Sequence, residues 1–318
     1  MKTIGILALY FGKLPNNFKL WLESCKRNPS IQWLLFTDDT KPFDYPENVQ
    51  VHYVQFGEIA GKIANHYDFE VDISHPYKLT DYKVAYGDIF SHYLEAFDFW
   101  GFCDIDMVFG NIRKFLHDEI LDQYDKVLSN GHLTLFRNVP RINLLYQQTV
   151  NGRVPYKEVF SRSCCFHFDE WGQDGINCIA MEHKVRMYMD VRFHDVYPRR
   201  FRFYSSQLRN NDGHKTNNVY LWEDGTLWRL FLNSGGQLSR EEILYVHFQK
   251  RPMKIRSHGE GATRFLMTPN RYSALDQDPP PSVIVGHLKK HVIDPDRIDF
   301  YFFHFKRKIR EIRKLIGS

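Results

Sequence analysis

The sequence has little cysteine and no leader-like segment. Its 318 residues include five cysteines, two of them adjacent at Cys164 and Cys165, and the five make neither an even disulfide framework nor a C-x-x-C metal pattern. The first residues contain a lysine and a short apolar run, without the long hydrophobic region and small-residue cleavage site of a signal peptide. We therefore expect reduced thiols and a cytoplasmic protein.

Long apolar runs, repeats and a strong net charge are also missing. No window approaches the roughly 20 apolar residues that cross a bilayer, so we expect any membrane contact to be peripheral. The net charge is only +4, and a cluster of basic residues occupies the last fifteen positions. A nucleic-acid binder normally needs a basic face across its body, so we expect no nucleic-acid partner.

Aromatic residues are abundant, with 26 Phe and 18 Tyr, which favours a large core. The continuous apolar run at 3–10 predicts a buried strand, and a helix at 18–26 and a second strand at 31–36 follow it. That second strand ends at Asp38 and Asp39. Strand, helix and strand with acids at the strand end predict an α/β fold.

The alternation of apolar strands and helices continues along the chain. It predicts strands at 49–55, 99–103 and 133–136, a helix at 78–97, and a loop-rich site at 162–177. Helix and strand are expected from there to about residue 198, and loops at 210–218.

Asp104 and Asp106 follow the apolar strand at 99–103. Alternate residues of a strand share a face, so both carboxylates would project together. Two like charges at the end of a buried strand are costly unless a cation compensates, and oxygen ligands favour Mg²⁺ or Mn²⁺. The alternative is a strand end with two solvated acids.

Three segments resemble the GT-A glycosyltransferases. Phe102-Cys-Asp-Ile-Asp106 is similar to their D-x-D segment, Gly172-Gln-Asp-Gly-Ile-Asn177 to the D-Q-D-x-x-N element of glycosyltransferase family 8, and Val246-His-Phe-Gln-Lys-Arg-Pro252 to a shortened H-F-x-G-x-x-K-P. Gly172 replaces the first acid, so the likeness to family 8 is distant. The resemblance implies a mixed sheet flanked by helices with a C-terminal helical extension, in a hexosyltransferase of bacterial capsule, lipopolysaccharide or other surface polysaccharide synthesis.

The resemblance also implies a donor and a metal site. The donor would be a nucleotide diphosphate sugar, with UDP as the nucleotide, and the acceptor a glycan or lipid-linked glycan. His247 would complete the Mn²⁺ or Mg²⁺ site of the D-x-D acids. Lys250 and Arg251 would neutralise the diphosphate. The alternative for His247 is a core histidine bonded to backbone.

The D-Q-D-like segment supplies the candidates for chemistry. Asp174 is the first choice for the residue nearest the reacting carbon, with Gln173 and Asn177 bonding the sugars and Asn177 on the acceptor side. An inverting enzyme would use Asp174 or Glu170 as general base, and a retaining one would use Asp174 or Gln173 to stabilise the oxocarbenium-like state. The alternative is a surface loop of solvated acids.

Three further residues are candidates for donor binding. Ligands of open α/β sheets bind at the carboxyl ends of strands, so Tyr10 would stack on the base and Asp38 would accept from the base or ribose. Lys83, before the D-x-D strand, would reach a phosphate or a sugar hydroxyl. The alternatives are a core aromatic, a turn cap and an exposed helical lysine.

The chain is expected to form a glycosyltransferase domain at 1–260, with a donor half at 1–140 and an acceptor half at 141–260, and an extension at 261–318. The extension ends in an aromatic and basic helix around 300–316. Such a helix suits an anionic membrane interface, and the alternative is a helix packed on the domain.

Two other functions compete with sugar transfer. Paired acids at a strand end also place metals on phosphates in nucleotidyltransferases and phosphohydrolases. A non-catalytic protein that binds glycans or membranes is the other alternative. The basic pair after His247 favours transfer, because a diphosphate leaving group needs neutralisation away from the D-x-D strand.

Overall fold

The fold is that of a computed structural model, which describes residues 1–172, 174–190, 192–206, 216–251, 253–257, 263–289 and 295–316. The chain forms two compact units. Unit 1 comprises Met1–Ile105 and Ile112–Val191, and unit 2 comprises Asp106–Asn111 and Arg192–Ser318. The boundary predicted at residue 140 falls inside unit 1, and that at 260 falls inside unit 2.

The strands and helices of the described residues are numbered along the chain. The strands are β1 (Ile4–Tyr10), β2 (Ile31–Thr37), β3 (Val49–Tyr53), β4 (Phe99–Cys103), β5 (Met107–Phe109), β6 (Lys126–Asn130), β7 (Leu133–Arg137), β8 (Met187–Tyr188), β9 (His194–Asp195), β10 (Asn218–Glu223), β11 (Thr226–Leu232), β12 (Leu238–Glu242), β13 (Tyr245–His247), β14 (Lys254–Ser257), β15 (Arg264–Thr268) and β16 (Arg271–Ala274). The helices are α1 (Phe18–Lys26), α2 (Phe56–Ala64), α3 (Leu79–Tyr82), α4 (Tyr86–Ile89), α5 (Ser91–Leu94), α6 (Ile112–Phe115), α7 (Asp118–Gln123), α8 (Pro140–Asn143), α9 (Pro155–Ser161), α10 (Ile176–Glu182), α11 (Pro281–Lys289) and α12 (Pro295–Ile316).

Unit 1 is built on a mixed sheet of seven strands in the order β3-β2-β1-β4-β7-β6-β8. The first four strands of that order run parallel, and β4 and β6 each pair antiparallel with β7. The apolar runs of β1, β2 and β4 are buried because helices cover the sheet, as their sequences predict. The α/β fold with a mixed sheet flanked by helices is therefore confirmed.

Aromatic side chains fill much of the core of unit 1. Trp100 stacks on Phe136 with ring centroids 4.7 Å apart, and Trp21 meets Trp33 edge to face at 6.3 Å. Gly87 allows the Trp100 ring to approach, because a Cβ at that position would lie 2.2 Å from the indole. Burial of such large rings contributes strongly to folding.

The helix predicted at 78–97 is wrong as one continuous element. Between residues 76 and 94 the chain forms two 3₁₀ turns, Pro76–Lys78 and Lys83–Ala85, and the short helices α3, α4 and α5. The backbone departs from helical angles at Phe90, with φ −108° and ψ 22°. Aromatic residues with modest helix propensity recur along this segment, and their burial in the core decides its path.

Unit 2 contains a six-stranded sheet in the order β12-β11-β10-β15-β16-β14 and a three-stranded sheet in the order β5-β13-β9. Helix α11 packs on the larger sheet through Ile284 and Leu288. The first turns of α12 are anchored, because Phe300 is buried and Lys254 bonds Asp296 at 3.0 Å. The described part of the chain has no helix both long and apolar enough to cross a membrane.

Candidate active site

Acidic side chains hold the loop that follows β1 in unit 1. The amide of Gly12, which has φ +99°, donates to Asp38 Oδ1 at 2.6 Å, and the amide of Leu14 donates to Asp39 Oδ2 at 2.8 Å. Asp38 therefore anchors the turn, as the alternative predicted. Tyr10, the last residue of β1, is half-buried beside this loop, and its stacking on a base stays a prediction.

Lys83 and Asp104 lie together in unit 1. The ammonium Nζ of Lys83 donates to Asp104 Oδ1 at 2.7 Å and to the Gly131 carbonyl at 2.8 Å, and it lies 3.7 Å from Asp169 Oδ2. Burial alone would lower the pKa of Lys83, but Asp104 and Asp169 outweigh it and raise that pKa. Lys83 is thus a mostly buried cation that touches the first D-x-D acid, and the predicted exposed helical alternative is wrong.

Asp169 is the buried member of this cluster, with 2% of its side chain exposed against 35% for Asp104. Burial raises the pKa of Asp169 to about 7, although Lys83 opposes the rise. Within the described residues, its Oδ1 atom has no hydrogen-bond partner. Gly131 must be small here, because a Cβ would stand 2.2 Å from Asp169 Oδ2. The alternative of a surface loop of solvated acids is therefore wrong for Asp169, which precedes the D-Q-D-like segment.

A second buried lysine, Lys126, stands near the same acids and was missed by the sequence analysis. Its Nζ donates to the Leu128 carbonyl at 2.7 Å. Burial lowers the pKa of Lys126 to about 7, with Asp169 and Glu170 opposing that shift. Leu128 has φ +69°, a rare conformation for a leucine, at an irregularity in the β6–β7 register. Backbone strain of this kind is often kept at functional sites.

The D-Q-D-like segment of unit 1 divides between buried and exposed positions. Glu170 Oε1 accepts from the Gly131 amide at 2.7 Å, and Asn177 is buried with its Nδ2 donating to the Ser129 carbonyl at 2.7 Å. Gln173 lies outside the described residues.

Asp174 faces another loop of unit 1. Its carboxylate accepts from Asn151 Nδ2 at 2.8 Å and from the exposed Arg153 guanidinium, and these bonds lower its pKa. Glu170 is therefore tied to Gly131, whose carbonyl accepts from Lys83, whereas the carboxylate of Asp174 is bonded to Asn151 and Arg153. The catalytic role of Asp174 stays a prediction.

In unit 2, His247 lies between two carboxylates. Its strand, β13, is the centre of the small sheet, with β9 parallel on one side and β5 antiparallel on the other. Asp106 directly precedes β5, and Asp195 ends β9 in register with His247. The imidazole Nε2 is 3.3 Å from Asp106 Oδ1, and Nδ1 is 2.8 Å from Asp195 Oδ1.

The two carboxylates around His247 are themselves held in place. Asp195 accepts from Gln249 Nε2 at 2.7 Å on both oxygens and from the Ser206 hydroxyl. Asp106 accepts from the backbone amide of Lys250. Burial disfavours the charged forms of Asp106 and His247. The pairing of the imidazole with its carboxylates outweighs burial, so it lowers the pKa of Asp106 to about 2 and raises that of His247 to about 10.

The turn after β13 has an unusual backbone. Gln249 and Lys250 have φ of 50° and 58°, so two successive non-glycine residues adopt left-handed angles. This geometry brings the Gln249 amide to Asp195 and the Lys250 N–H to Asp106. It is a second strained segment beside predicted site residues.

Arg251 is buried within unit 2. Its Nη1 donates to the Phe201 carbonyl at 2.5 Å, and its Nη2 to the carbonyls of Tyr197 and Arg200 at 3.0 and 2.6 Å. Burial lowers its pKa to about 10. These bonds favour a structural role for Arg251 over the predicted contact with a diphosphate, which stays untested.

The carboxylate oxygen of Asp106 and the imidazole nitrogen of His247 in unit 2 are ligand atoms that suit a hard or borderline divalent cation. Two cis ligands about 2.1 Å from an octahedral cation stand about 3 Å apart, close to the separation of Asp106 Oδ1 and His247 Nε2. A histidine ligand usually bonds a carboxylate through its other nitrogen, as His247 does with Asp195. Asp195 belongs to none of the sequence motifs, so motif analysis could not identify it.

The fold and these clusters define an α/β protein with polar side chains at the ends of its strands. Residues 6–276 match a family of unknown function (DUF6625), and the chain belongs to that family. A search of curated proteins finds no relative. Among solved structures, the chain is similar to the galactosyltransferase LgtC in complex with donor and acceptor sugar analogues, with a TM-score of 0.35 and 12% identity over 60% of this chain and 75% of that one.

Proposed function

We propose that this protein is a metal-dependent glycosyltransferase that moves a sugar from a nucleotide diphosphate donor, with UDP as the nucleotide, to a glycan or lipid-linked glycan. One observation carries the proposal most directly. His247 presents Nε2 to Asp106 while Asp195 holds Nδ1. A carboxylate and a carboxylate-oriented imidazole form half of a divalent metal site, and sugar donors with a diphosphate use such a metal.

Asp106 and His247 are the proposed ligands of Mn²⁺ or Mg²⁺ within unit 2. Asp104 precedes Asp106 by two positions, and its share in binding rests on the D-x-D spacing. The bound cation would act as a Lewis acid toward the diphosphate. Asp195 orients the histidine and is itself held by Gln249 and Ser206.

Lys250 is the proposed cation for the leaving diphosphate. The backbone N–H of Lys250 donates to Asp106, which fixes the backbone of Lys250 beside a proposed metal ligand. Loss of a nucleotide diphosphate develops negative charge on the β-phosphate, and a fixed cation stabilises that charge without reorganisation. Arg251 is a weaker candidate, because backbone carbonyls accept from its Nη1 and Nη2.

We also propose roles for residues that would lie near the transferred sugar and the acceptor. Lys83 is held among Asp104, Gly131 and Asp169, and its contact with the first D-x-D acid supports a place near the donor. Glu170 and Asp174 remain candidate catalytic carboxylates, and Asn177 a candidate for acceptor binding. Gln173 is proposed on the sequence alone.

Peripheral attachment to an anionic membrane is proposed for α12. Its side chains Tyr301, Phe302 and Phe305 are 47%, 55% and 61% exposed, although Phe300 is buried. Lys306 lies 4.4 Å from the Phe302 ring, so cations and exposed rings are interleaved. That pattern suits the headgroup boundary of a bilayer, where a lipid-linked acceptor would be found.

A thermal-shift panel tests the nucleotide and metal parts together. The protein is heated with UDP, GDP, CDP or ADP, each with and without Mn²⁺, because a ligand of the native state raises the melting temperature. We expect a shift with one diphosphate that requires Mn²⁺ and disappears in Asp106→Asn. The exposed Asp122→Asn is the matched control and should behave as wild type. A protein that no nucleotide stabilises contradicts the proposal.

A further inference from the structure

The 3₁₀ turn Pro76–Lys78 of unit 1 is held in place by a buried lysine. The side chain of Lys78 has no exposed surface, and its Nζ donates to Asp81 Oδ2 at 2.8 Å. The same Nζ donates to the carbonyl of Val159 at 2.7 Å and to that of Cys164 at 2.8 Å. The turn is therefore bonded to the chain segment that begins at Cys164.

Asp81, the partner of Lys78, bonds the continuation of that segment. Its Oδ1 accepts from the backbone amides of Phe166 and Phe168 at 3.0 and 3.1 Å, and its side chain is fully buried. Phe168 directly precedes Asp169, the buried acid beside Lys83. Breaking this ion pair would leave a buried charge uncompensated, which is strongly unfavourable. The turn thus has a fixed position relative to Asp169.

Tyr77, the middle residue of the turn, is 49% exposed, whereas the lysine that follows it is buried. Partial burial is the main cause of a raised Tyr77 pKa, and the charges of Cys165 and Asp104 add to the rise. Asp169 also raises this pKa, and Lys83 opposes the rise. Charges act strongly only over about 8–10 Å at physiological salt, so the phenol lies beside this group of charges.

Exposure increases outward from the buried carboxylate. The side chains of Asp169, Lys83 and Asp104 are 2%, 12% and 35% exposed, and Tyr77 is 49% exposed. The phenol ring therefore borders these polar groups on their solvent side. An aromatic side chain on a fixed turn offers a large contact area at a low cost in conformational entropy.

We infer that Tyr77 is the platform on which the ring of the acceptor sugar lies. Pyranose rings present apolar C–H faces that pack on aromatic rings, while their hydroxyls reach neighbouring polar groups. This inference rests on the proposed function, in which Lys83 and Asp104 lie near the donor. An acceptor must bring a hydroxyl to the donor sugar from the solvent side, where the Tyr77 ring is exposed. The structure thus assigns the acceptor a sugar ring with an open apolar face.

Steady-state release of UDP from the UDP-sugar that full-length wild type hydrolyses tests the inference. The assay contains Mn²⁺ and, as acceptors, methyl glycosides of glucose, galactose, mannose and N-acetylglucosamine. We expect at least one glycoside to accelerate release. Tyr77→Ala should raise the KM for that glycoside roughly tenfold, while release without acceptor and the melting shift with UDP stay as in wild type. Tyr77→Phe should keep the wild-type KM, because the ring remains.

Tyr77→Leu separates stacking from packing, since leucine keeps apolar bulk without a flat ring. We expect its acceptor KM to rise as in Tyr77→Ala. Tyr53→Ala is the matched control, because Tyr53 is 53% exposed at the end of β3 in the same unit, and it should keep the wild-type KM. Thermal melting checks the fold of each variant, and Tyr77→Leu decides the question if Tyr77→Ala does not fold.

An unchanged acceptor KM in Tyr77→Leu and in folded Tyr77→Ala overturns the inference. Slower release without acceptor in those variants overturns it as well, because the ring would then serve the donor or the fold. Release by wild type that no glycoside accelerates removes the acceptor platform and leaves the donor chemistry standing. Wild type that releases no UDP from any UDP-sugar contradicts the proposed function itself, and the inference falls with it.

Discussion

The imidazole Nδ1 of His247 lies 2.8 Å from Asp195 Oδ1, although 52 residues separate the two in the chain. Parallel pairing of β9 with β13 creates this contact by placing both residues in register. Asp195 thereby leaves Nε2 of His247 directed at Asp106. The proposed metal chemistry depends on that orientation.

Asp195→Asn should weaken Mn²⁺ binding about 10- to 100-fold, which is the usual effect of removing the carboxylate behind a histidine ligand. The asparagine keeps an oxygen for hydrogen bonding but loses the charge that supports His247. Electron paramagnetic resonance of free Mn²⁺ in a titration measures the affinity. The exposed Asp276→Asn is the control and should bind Mn²⁺ as wild type does. Unchanged Mn²⁺ affinity in Asp195→Asn would show that Asp195 does not support metal binding.

Lys250→Gly separates the backbone of Lys250 from its side chain. Glycine accepts φ near +58° readily and keeps the N–H that donates to Asp106, so the melting temperature should change little. Loss of the ammonium group should weaken Mn²⁺-dependent UDP binding roughly tenfold, as expected for one charged hydrogen bond. Calorimetry with UDP reports the affinity. Full affinity in the variant would mean that Lys250 acts only through its backbone.

Lys126→Met should change the pH dependence of stability. The pKa of Lys126 is about 7 in the folded protein, below the ordinary 10.5, so from about pH 7 to 10 the unfolded chain binds a proton that the folded chain does not. Stability contributed by this residue therefore rises with pH in that window, by about 1 kcal/mol per pH unit. The stability of Lys126→Met relative to wild type should fall by the same amount per unit.

Urea unfolding of both proteins at pH 7, 8, 9 and 10 measures this difference. Groups common to both, including Asp169 and Glu170 beside Lys126, largely cancel in the comparison. The exposed Lys19→Met should differ from wild type by a constant amount. A constant difference for Lys126→Met too would mean that Lys126 stays charged in the folded protein.

Phe302→Ala with Phe305→Ala should reduce binding to vesicles that contain anionic lipid, while keeping UDP binding. Both rings are more than half exposed, so their loss should not disturb folding. Truncation after about residue 296 is a poorer test, because it removes Phe300, which is buried and lies 4.8 Å from the Arg251 guanidinium. Flotation at low and high salt measures the binding. Equal flotation of wild type and double variant would favour a packed structural helix.

Local patterns predicted the framework of unit 1 well. Strand β1 was predicted at 3–10, α1 at 18–26 and β4 at 99–103, and the structure gives nearly the same bounds, because each is a buried apolar or amphipathic run. The broken segment around α3 to α5 was predicted as one helix. Its aromatic spacing fits a helix, and only the core that receives the rings determines where the backbone turns.

The residues of the candidate site were likewise predictable only in part. Asp106 and His247 were found from motifs, but Asp195 sits in a two-residue strand whose pairing joins distant parts of the chain. Lys126 looks like an ordinary polar residue at the start of a strand, and its burial follows from the fold of unit 1. Periodicity and spacing carry no information about such contacts.

The most direct test of the account is release of nucleotide diphosphate from nucleotide sugars. Wild type and Asp106→Asn are incubated with a panel of UDP-, GDP-, CDP- and ADP-sugars, with Mn²⁺ or EDTA, and free diphosphate is measured over time with and without glycan acceptors. We predict that wild type with Mn²⁺ releases diphosphate from at least one UDP-sugar, faster with an acceptor, and that EDTA or Asp106→Asn abolishes release. No release from any donor, or equal release by Asp106→Asn, would contradict metal-dependent glycosyl transfer.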